Sequence, residues 1–221
     1  TEFNDKYAAG YAQMGIGNIY TKIEKYDKAL KYYELSLKTR IEIEDKNGIA
    51  HLHHNIGVIY EKVYDYSASL ESFKKAFEIT DKLGDKYSSS ANLKHIGEIS
   101  RIMGDYKEAI DSHMKSLELR ESIKQNDYVC ESLNLLALSY FLSGDLENAE
   151  KYIVSVKKIS CQDDELVEIN KLYTALISQS LNKDINLNEV IHLVERMKDT
   201  SYETYYFLYK ISNDDKYLKL A

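Results

Sequence analysis

The stretches MGDYKEAIDSHMKSL, residues 103–117, and SGDLENAEKYIVSV, residues 143–156, decide the fold of this chain. When the two are aligned with Tyr106 on Leu146, glycine falls on glycine and alanine on alanine. The same shift applied backwards along the chain finds two further copies, marked by Tyr66 and Tyr26. The chain therefore repeats one unit of about 40 residues without a gap, and a constant period of this size is typical of helical solenoids.

Small and large apolar residues recur at fixed positions of this unit. If the marker residue is numbered 17, apolar residues stand at positions 4, 7, 8 and 11 and again at 17, 20, 24, 27 and 28. This three-and-four spacing predicts two successive amphipathic helices, A and B. Two positions hold small residues, which we expect to face each other because helix axes approach closely only where side chains are short. They are position 8 (Gly17, Gly57, Gly97, Ala137) and position 20 (Ala29, Ser69, Ala109, Ala149).

Each unit is predicted to be a helix hairpin, and the fold is predicted to be all-α. Helix A is expected at about 8–22, 48–63, 88–102 and 128–142, each followed by a longer helix B. Gly104 and Gly144 are suited to the left-handed conformation that ends a helix. A single hairpin cannot bury both of its faces, so neighbouring hairpins must stack and share a core.

The segment NIGVIYEKVYDYSASLESFKKAF, residues 55–77, resembles the tetratricopeptide repeat (TPR) family in its pattern of large and small residues. The resemblance implies a right-handed α-α superhelix, a TPR solenoid of helix hairpins, that acts as a scaffold and not as an enzyme. The chain lacks the proline that commonly closes helix B, and it lacks the frequent Trp at position 4. The family's usual repeat has about 34 residues. We assign the extra residues to the end of helix B, which they would lengthen by roughly 9 Å. Similar long repeats occur in kinesin light chains, in spindle-orientation adaptors, in bacterial peptide-sensing regulators and in blocks attached to signalling enzymes.

The expected organisation is a single TPR array over residues 1–221. In the fifth unit, Ile177 and Glu189 occupy the small columns, so that unit is degenerate. The chain begins at Thr1 without a methionine and ends as another helix is under way, so we expect it to be a piece of a longer protein. The units comprise clear repeats at about 10–47, 50–87, 90–127 and 130–161, a degenerate fifth repeat at 165–198 and a partial sixth hairpin at 201–221.

Composition argues against several classes of function. The net charge is -7 and the lysines are interleaved with acidic residues, which argues against binding a nucleic-acid backbone. No long apolar run and no signal peptide are evident, so we expect no membrane partner and a cytoplasmic location. Cys130 and Cys161 lack the spacing of a metal site and are expected to be thiols, which fits a reducing compartment. No cofactor is implied.

The sequence also offers no catalytic arrangement at usable spacing. The glycines of MGIGNIY, residues 14–20, lie inside a helix and are explained by packing rather than by a nucleotide-binding loop. His51, His54 and His95 raise the alternative of a metal site. A histidine-lined groove fits better, because no Asp, Glu or Cys stands at an obvious fourth ligand position. His113 occupies a core column.

The TPR resemblance implies that helix A residues line a concave groove that binds a protein or peptide segment. The chaperone carboxylate clamp of this family is matched by Asn18 and Asn55, but its cationic columns hold Met14, Ala91 and His95. The alternative function is a sensing or regulatory region of a larger signalling enzyme, acting through intramolecular contacts or self-association. The candidate groove residues are Tyr11, Met14, Asn18, His51, His54, Asn55, Lys94, Glu98, Arg101 and Asn134.

Overall fold

The chain folds into helices joined by short turns. A computed structural model describes residues 2–196 together with Tyr206, Phe207, Tyr209, Lys210 and Lys219. That part of the chain contains no strand, so the all-α prediction is confirmed. A 3-10 turn, Val156–Lys158, follows the eighth helix. The helices are α1 (Glu2–Lys22), α2 (Tyr26–Glu42), α3 (Lys46–Lys62), α4 (Tyr66–Leu83), α5 (Lys86–Ile102), α6 (Tyr106–Ser122), α7 (Asn126–Ser143), α8 (Leu146–Ser155), α9 (Asp164–Ser180) and α10 (Leu187–Arg196).

The helices start at a constant interval, which is the period of the sequence repeat. The B helices α2, α4, α6 and α8 begin at the four marker residues, and the A helices α3, α5 and α7 are spaced in the same way. The prediction of a longer helix B is wrong, because α3 and α5 have 17 residues and α4 and α6 have 18 and 17. The sequence assigned the extra residues to the end of helix B. Asp45 and Asp85 lie in those segments, but they cap the starts of α3 and α5. Both helices of the hairpin therefore share the extra length.

Seven turns share one construction, a left-handed residue followed by the start of a helix. In five of them an aspartate accepts the backbone N–H three residues later at 3.0–3.1 Å. A left-handed conformation costs a non-glycine residue about 1–2 kcal/mol, and a capping aspartate contributes about 1 kcal/mol. The caps therefore help to offset the strain at Glu44 and Tyr64. The left-handed residues are Glu24, Glu44, Tyr64, Gly84, Gly104, Lys124 and Gly144.

Large rings at position 24 of helix B lie over the position-8 glycines of helix A. A Cβ atom built on Gly57 would lie 3.0 Å from the ring of Phe73. The expected contact between the small columns is also present, because the Ser69 hydroxyl donates to the Gly57 carbonyl oxygen at 2.9 Å. The ring of Phe73 is nevertheless the group that requires glycine at position 57. This corrects the prediction, which explained the small residues at position 8 by the small residues at position 20. The same arrangement pairs Gly17 with Tyr33 and Gly97 with His113.

The chain groups into two compact units, Thr1–Leu119 and Arg120–Ala221. The core of the first unit joins α3 to the hairpin before it. In that core, apolar residues of α3 pack against α2 over a fully buried alanine and tyrosine. The residues of this cluster are Ala29, Tyr33, Leu52, Ile56 and Ile59.

The second unit contains the segment that the sequence predicts to be a degenerate fifth repeat. Helices α9 and α10 lie in this segment, and Ile177, which stands in a predicted small column, is buried against Ala137 and Ile153. The side chain of Glu189 and most of the partial sixth hairpin, 201–221, lie outside the described residues. Across the part of the chain that the structure describes, no helix is both long and apolar enough to cross a membrane.

The two cysteines form a disulfide, so the prediction of free thiols is wrong. Cys130 on α7 is joined to Cys161, with the two Cα atoms 6.3 Å apart. Helix α8 has only 10 residues, and the chain after it returns toward the start of α7. There the backbone N–H of Gln162 donates to Asp127 Oδ1 at 2.7 Å. Disulfides are typical of oxidising compartments, so the cysteines no longer support a reducing one.

Candidate functional site

An amide pair links the first two A helices of the unit Thr1–Leu119. Asn55 Nδ2 on α3 donates to Asn18 Oδ1 on α1 at 3.3 Å. The Tyr33 hydroxyl of α2 donates to the same oxygen at 2.7 Å, and Thr21 Oγ1 lies 3.1 Å from that hydroxyl. Burial raises the pKa of Tyr33, and hydrogen bonds with Thr21 and Asn55 only partly oppose this, so the hydroxyl is a proton donor at neutral pH. Asn18 is thereby held in one orientation.

A histidine–amide contact links the next two A helices. His54 Nδ1 on α3 lies 2.8 Å from Asn92 Oδ1 on α5. Since that oxygen can only accept, Nδ1 carries the proton. Burial lowers the pKa of His54, and this effect outweighs the opposing hydrogen bond with Asn92. His54 is therefore a neutral hydrogen-bonding group near pH 7 and not a cation.

Ionic contacts occupy the α5 part of this surface. His95 Nδ1 lies 3.2 Å from Glu61 Oε2 of α3, and Lys94 Nζ lies 3.8 Å from Glu98 Oε2. Burial alone would raise the pKa of Glu61, but the hydrogen bond and charge of His95 outweigh it, so the pKa lies below its usual value. The surface thus carries ionised carboxylates beside its basic groups.

A small cavity of about 140 Å³ opens between α3 and α5. His51 and His54 line it from α3, and Asn92 lines it from α5. Sites for whole small molecules are usually about 300–1,000 Å³. This cavity therefore fits a single short side chain better than a separate ligand. Its full lining is Asn47, Ala50, His51, His54, Thr80, Asp85, Tyr87, Ser88, Ala91 and Asn92.

The histidines do not assemble a metal centre. Among the described residues, no group of three or more His, Cys, Asp or Glu side chains is placed to hold a metal ion. His54 and His95 are instead engaged with Asn92 and Glu61. The arrangement supports hydrogen bonding and packing rather than coordination.

The nine candidate groove residues that belong to the first unit all lie on α1, α3 or α5. Tyr11 is exposed, Met14 packs against the core cluster of α2 and α3, and Arg101 is half-buried on α5. Asn134 differs, because its side chain is only 2% exposed. Asn134 Oδ1 accepts from Asn170 Nδ2 at 2.9 Å, since α9 packs against α7 at this point. The expectation that Asn134 lines an open groove is wrong.

Sequence reasoning missed the residues that support this surface from beneath. Tyr33 orients Asn18, and Asn92 orients His54. Asn92 could have been found from the sequence, because it occupies the same repeat position as Leu52, one repeat later. Both side chains are buried, so an amide stands at a core position. A polar residue in a core column indicates a hydrogen-bonding role.

Consecutive helix hairpins with a constant period define a helical-repeat protein. The tetratricopeptide repeat family model matches residues 9–82 and 88–155, which is more than half of the chain. The chain belongs to the tetratricopeptide repeat family. Comparison with curated proteins finds no match.

Several solved structures share this fold. RapI in its apo form has a TM-score of 0.81 at 15% identity, over 97% of this chain and 60% of RapI. The Rap conjugation gene regulator of plasmid pLS20, solved with the Phr* peptide, has a TM-score of 0.61 at 18% identity. The match covers 97% of this chain and 57% of the regulator. YrrB, a TPR protein with an unusual peptide-binding site, has a TM-score of 0.58 at 15% identity. The match covers 93% of this chain and 87% of YrrB. This chain spans about three fifths of the length of the two Rap proteins.

Proposed function

We propose that this protein is a non-enzymatic scaffold that binds an extended protein or peptide segment along α1, α3 and α5. The observation that carries the proposal is the amide pair of Asn18 and Asn55. The oxygen of Asn18 is already engaged by Tyr33 and Asn55, so Asn18 presents its amide nitrogen to a ligand. Such donors suit the backbone carbonyls of an extended segment.

The spacing of the helices sets the length of that segment. Packed helix axes lie about 8–10 Å apart, and an extended chain rises about 3.3 Å per residue. About three residues therefore separate the contacts on neighbouring A helices. A segment of about seven residues would reach from Asn18 to the Lys94 and Glu98 pair.

The charges of the surface favour a neutral or basic segment over an acidic one. Met14, Ala91 and His95 stand where the carboxylate clamp has cations. His54 is neutral, and the pKa of Glu61 is lowered, so that carboxylate is ionised. An acidic C-terminus would meet little positive charge here. A segment with one basic side chain could pair with Glu61 or Glu98.

The shared fold supports peptide binding in general terms. The pLS20 regulator was solved with the Phr* peptide, and YrrB has a peptide-binding site. A regulatory region of a longer signalling protein is the second candidate, favoured by the three-fifths coverage of the Rap proteins. The complete reading frame separates the two, because a catalytic domain beside the repeats would favour regulation.

The test is peptide selection followed by calorimetry. A random peptide library displayed on phage is selected on the wild-type protein, and the best peptide is titrated into the variant Asn18→Ala/Asn55→Ala. We expect at least a tenfold weaker dissociation constant, about 1.4 kcal/mol. The melting temperature should change little, because Tyr33 keeps its contact with Thr21. His54 is left intact, since it packs against Phe73.

The matched control is Glu71→Ala/Lys75→Ala, which removes an exposed ion pair of α4 on the helix B side. It should leave the affinity unchanged. Selection that yields no binder, or a binder that is lost only in the control variant, would overturn the groove proposal.

A further inference from the structure

Two arginines near the ends of B helices are buried and paired with carboxylates. Arg40 of α2 and Arg120 of α6 stand at the same position of the repeat, two repeats apart, and each is 3% exposed. Arg40 forms an ion pair with Asp45. In the second unit, Arg120 Nη1 lies 2.9 Å from Glu131 Oε2. A buried guanidinium is stable only beside such a partner, so each arginine comes with its own acid.

The side chain of Arg40 fills the space between α1 and α3. A Cβ atom built on Gly10 of α1 would lie 3.3 Å from Arg40 Cγ. A Cβ atom built on Gly48 of α3 would overlap the guanidinium of Arg40. The two glycines therefore make room for the arginine, and Asp45 at the start of α3 neutralises it.

One repeat later, the equivalent space is the cavity between α3 and α5. Thr80 stands in place of Arg40, and it is too short to fill the cavity volume of about 140 Å³. The carboxylate is kept, because Asp85 stands in place of Asp45. The residues equivalent to Arg40, Asp45 and the two glycines all line this cavity, and they are Ala50, Thr80, Asp85 and Ser88.

The carboxylate of Asp85 is ionised. Burial alone would raise its pKa, but hydrogen bonds with Ser88 and the charge of His51 outweigh this effect, so the pKa lies below its ordinary value. Among the described residues, the groups that lower the pKa of Asp85 are Ser88, His51 and Tyr87, and none of them is a lysine or an arginine. The acid of this cavity thus lacks the guanidinium that Asp45 has.

Other carboxylates of the same surface already have basic neighbours. Glu61 Oε2 lies 3.2 Å from His95 Nδ1, and Glu98 Oε2 lies 3.8 Å from Lys94 Nζ. A basic group of a ligand would have to compete with those neighbours. At Asp85 it would only take the place that an arginine of the chain itself fills one repeat earlier.

We infer that this cavity binds the guanidinium group of an arginine side chain from the bound segment. Asp85 supplies the negative charge. His54 supplies an acceptor at Nε2, because its Nδ1 proton is donated to Asn92. The planar end of the side chain enters the cavity, and its flexible stem lies in the groove above. Arginine is favoured over lysine because a guanidinium can form two parallel hydrogen bonds with one carboxylate.

The inference names one side chain of the partner and so rests on the proposed groove, but the cavity can be tested without a peptide. The probe is N-acetyl-arginine amide, titrated into isotope-labelled protein while nuclear magnetic resonance follows the backbone amides of Ser88 and Asn92. Both residues line the cavity, so their signals should shift and saturate. N-acetyl-citrulline amide has nearly the same shape without the charge and should cause little change.

A matched pair of variants tests the role of the carboxylate. Asp85→Asn should weaken probe binding about tenfold, because it removes a charge-assisted hydrogen bond. Asparagine is also a good N-cap, so α5 should stay folded. The control is Asp65→Asn, since Asp65 caps α4 in the same way, with Oδ1 accepting from the Ala68 N–H at 3.1 Å. It does not line the cavity and should leave binding unchanged.

A third variant closes the cavity from within. Thr80→Arg/Ser88→Gly reproduces the residues found at positions 40 and 48, where the fold already accommodates an arginine. The variant should keep its helical circular dichroism and lose the shifts caused by the probe. Shifts that persist in this variant would place the binding of the probe elsewhere and overturn the inference.

The arginine site and the groove fail in different ways. Absence of saturable shifts, or equal shifts with the citrulline compound, would overturn the arginine site. So would library-selected peptides whose affinity Asp85→Asn leaves unchanged, and in that case the groove proposal would stand. Binding of the probe at the cavity, together with a peptide library that yields no binder, would support the arginine site and contradict the groove.

Discussion

The ring of Phe73 lies flat against the imidazole of His95, with the ring centroids 4.4 Å apart and the planes 4° from parallel. The same phenyl ring covers Gly57 and meets the edge of His54. One residue of a B helix thus contacts its own A helix and the A helix of the next repeat. The surface residues His54 and His95 are therefore positioned by the core beneath them.

Substitution of the position-8 glycine should destabilise the fold. Gly57→Leu would drive a side chain into the ring of Phe73, and Ala109→Leu would overfill a fully buried site. We expect losses of about 1–3 kcal/mol or more in the free energy of unfolding. Gly15→Ala is the control, because no atom lies within 4 Å of the added Cβ. It should be neutral or stabilising in urea titrations. Unchanged stability of both large variants would contradict the packing described here.

Removal of two equivalent caps should have unequal effects. Asp45 and Asp85 each cap an A helix, but Asp45 also pairs with the buried Arg40, whose place is taken by Thr80 one repeat later. Asp85→Ala should cost about 1 kcal/mol. Asp45→Ala should cost about 3–5 kcal/mol, because it leaves a buried charge without its partner. Chemical denaturation measures both, and equal losses would show that the ion pair contributes nothing.

The stability of the first unit should fall on mild acidification through His54. Burial holds the pKa of His54 below its ordinary value of 6.5, with Asn92 and Glu61 opposing and His51 and His95 reinforcing the shift. Since the unfolded chain binds the proton more readily, this contribution is complete above about pH 6.5 and is lost as the pH falls. The variant His54→Gln should lose less unfolding free energy than the wild type between about pH 8 and pH 5. An equally steep loss in the variant would exclude His54 as the source.

Removal of the disulfide should destabilise the second unit. Cys130 and Cys161 close a loop with a sequence separation of 31 residues. Their replacement by Ser in the double variant should cost about 3 kcal/mol, mainly by releasing the unfolded chain. Reduction of the wild type by a dithiol should have a similar effect, and mass spectrometry after alkylation measures the state of the cysteines directly. Full alkylation without prior reduction would contradict the disulfide.

The helices and their order could be read from the sequence because their determinants are local. The spacing of apolar residues identified both helices of each hairpin, and the constant period located every copy through Leu146. The A helices α3, α5 and α7 begin within two residues of their predicted starts. Periodicity reports which face of a helix is buried, and burial of one face is what defines these helices.

The sequence also singled out Asn18, Asn55 and the histidines of α3 as candidate groove residues, and the structure places the amides of Asn18 and Asn55 in contact. It placed Asn134 wrongly, because the burial of that residue depends on α9, whose packing lies far along the chain. It assigned the extra length to helix B, because the apolar spacing alone did not show that the chain turns at Glu44 and Gly84. These features depend on which segments meet.

By itself, the sequence determined the class of protein, the hairpin unit and its period, because each follows from residues within one turn or one repeat of each other. Only the tertiary structure decided which ring covers each glycine, which groups orient Asn18 and His54, and that Cys130 meets Cys161. Those contacts join residues of different helices or repeats, and their geometry is set by the packing of whole helices.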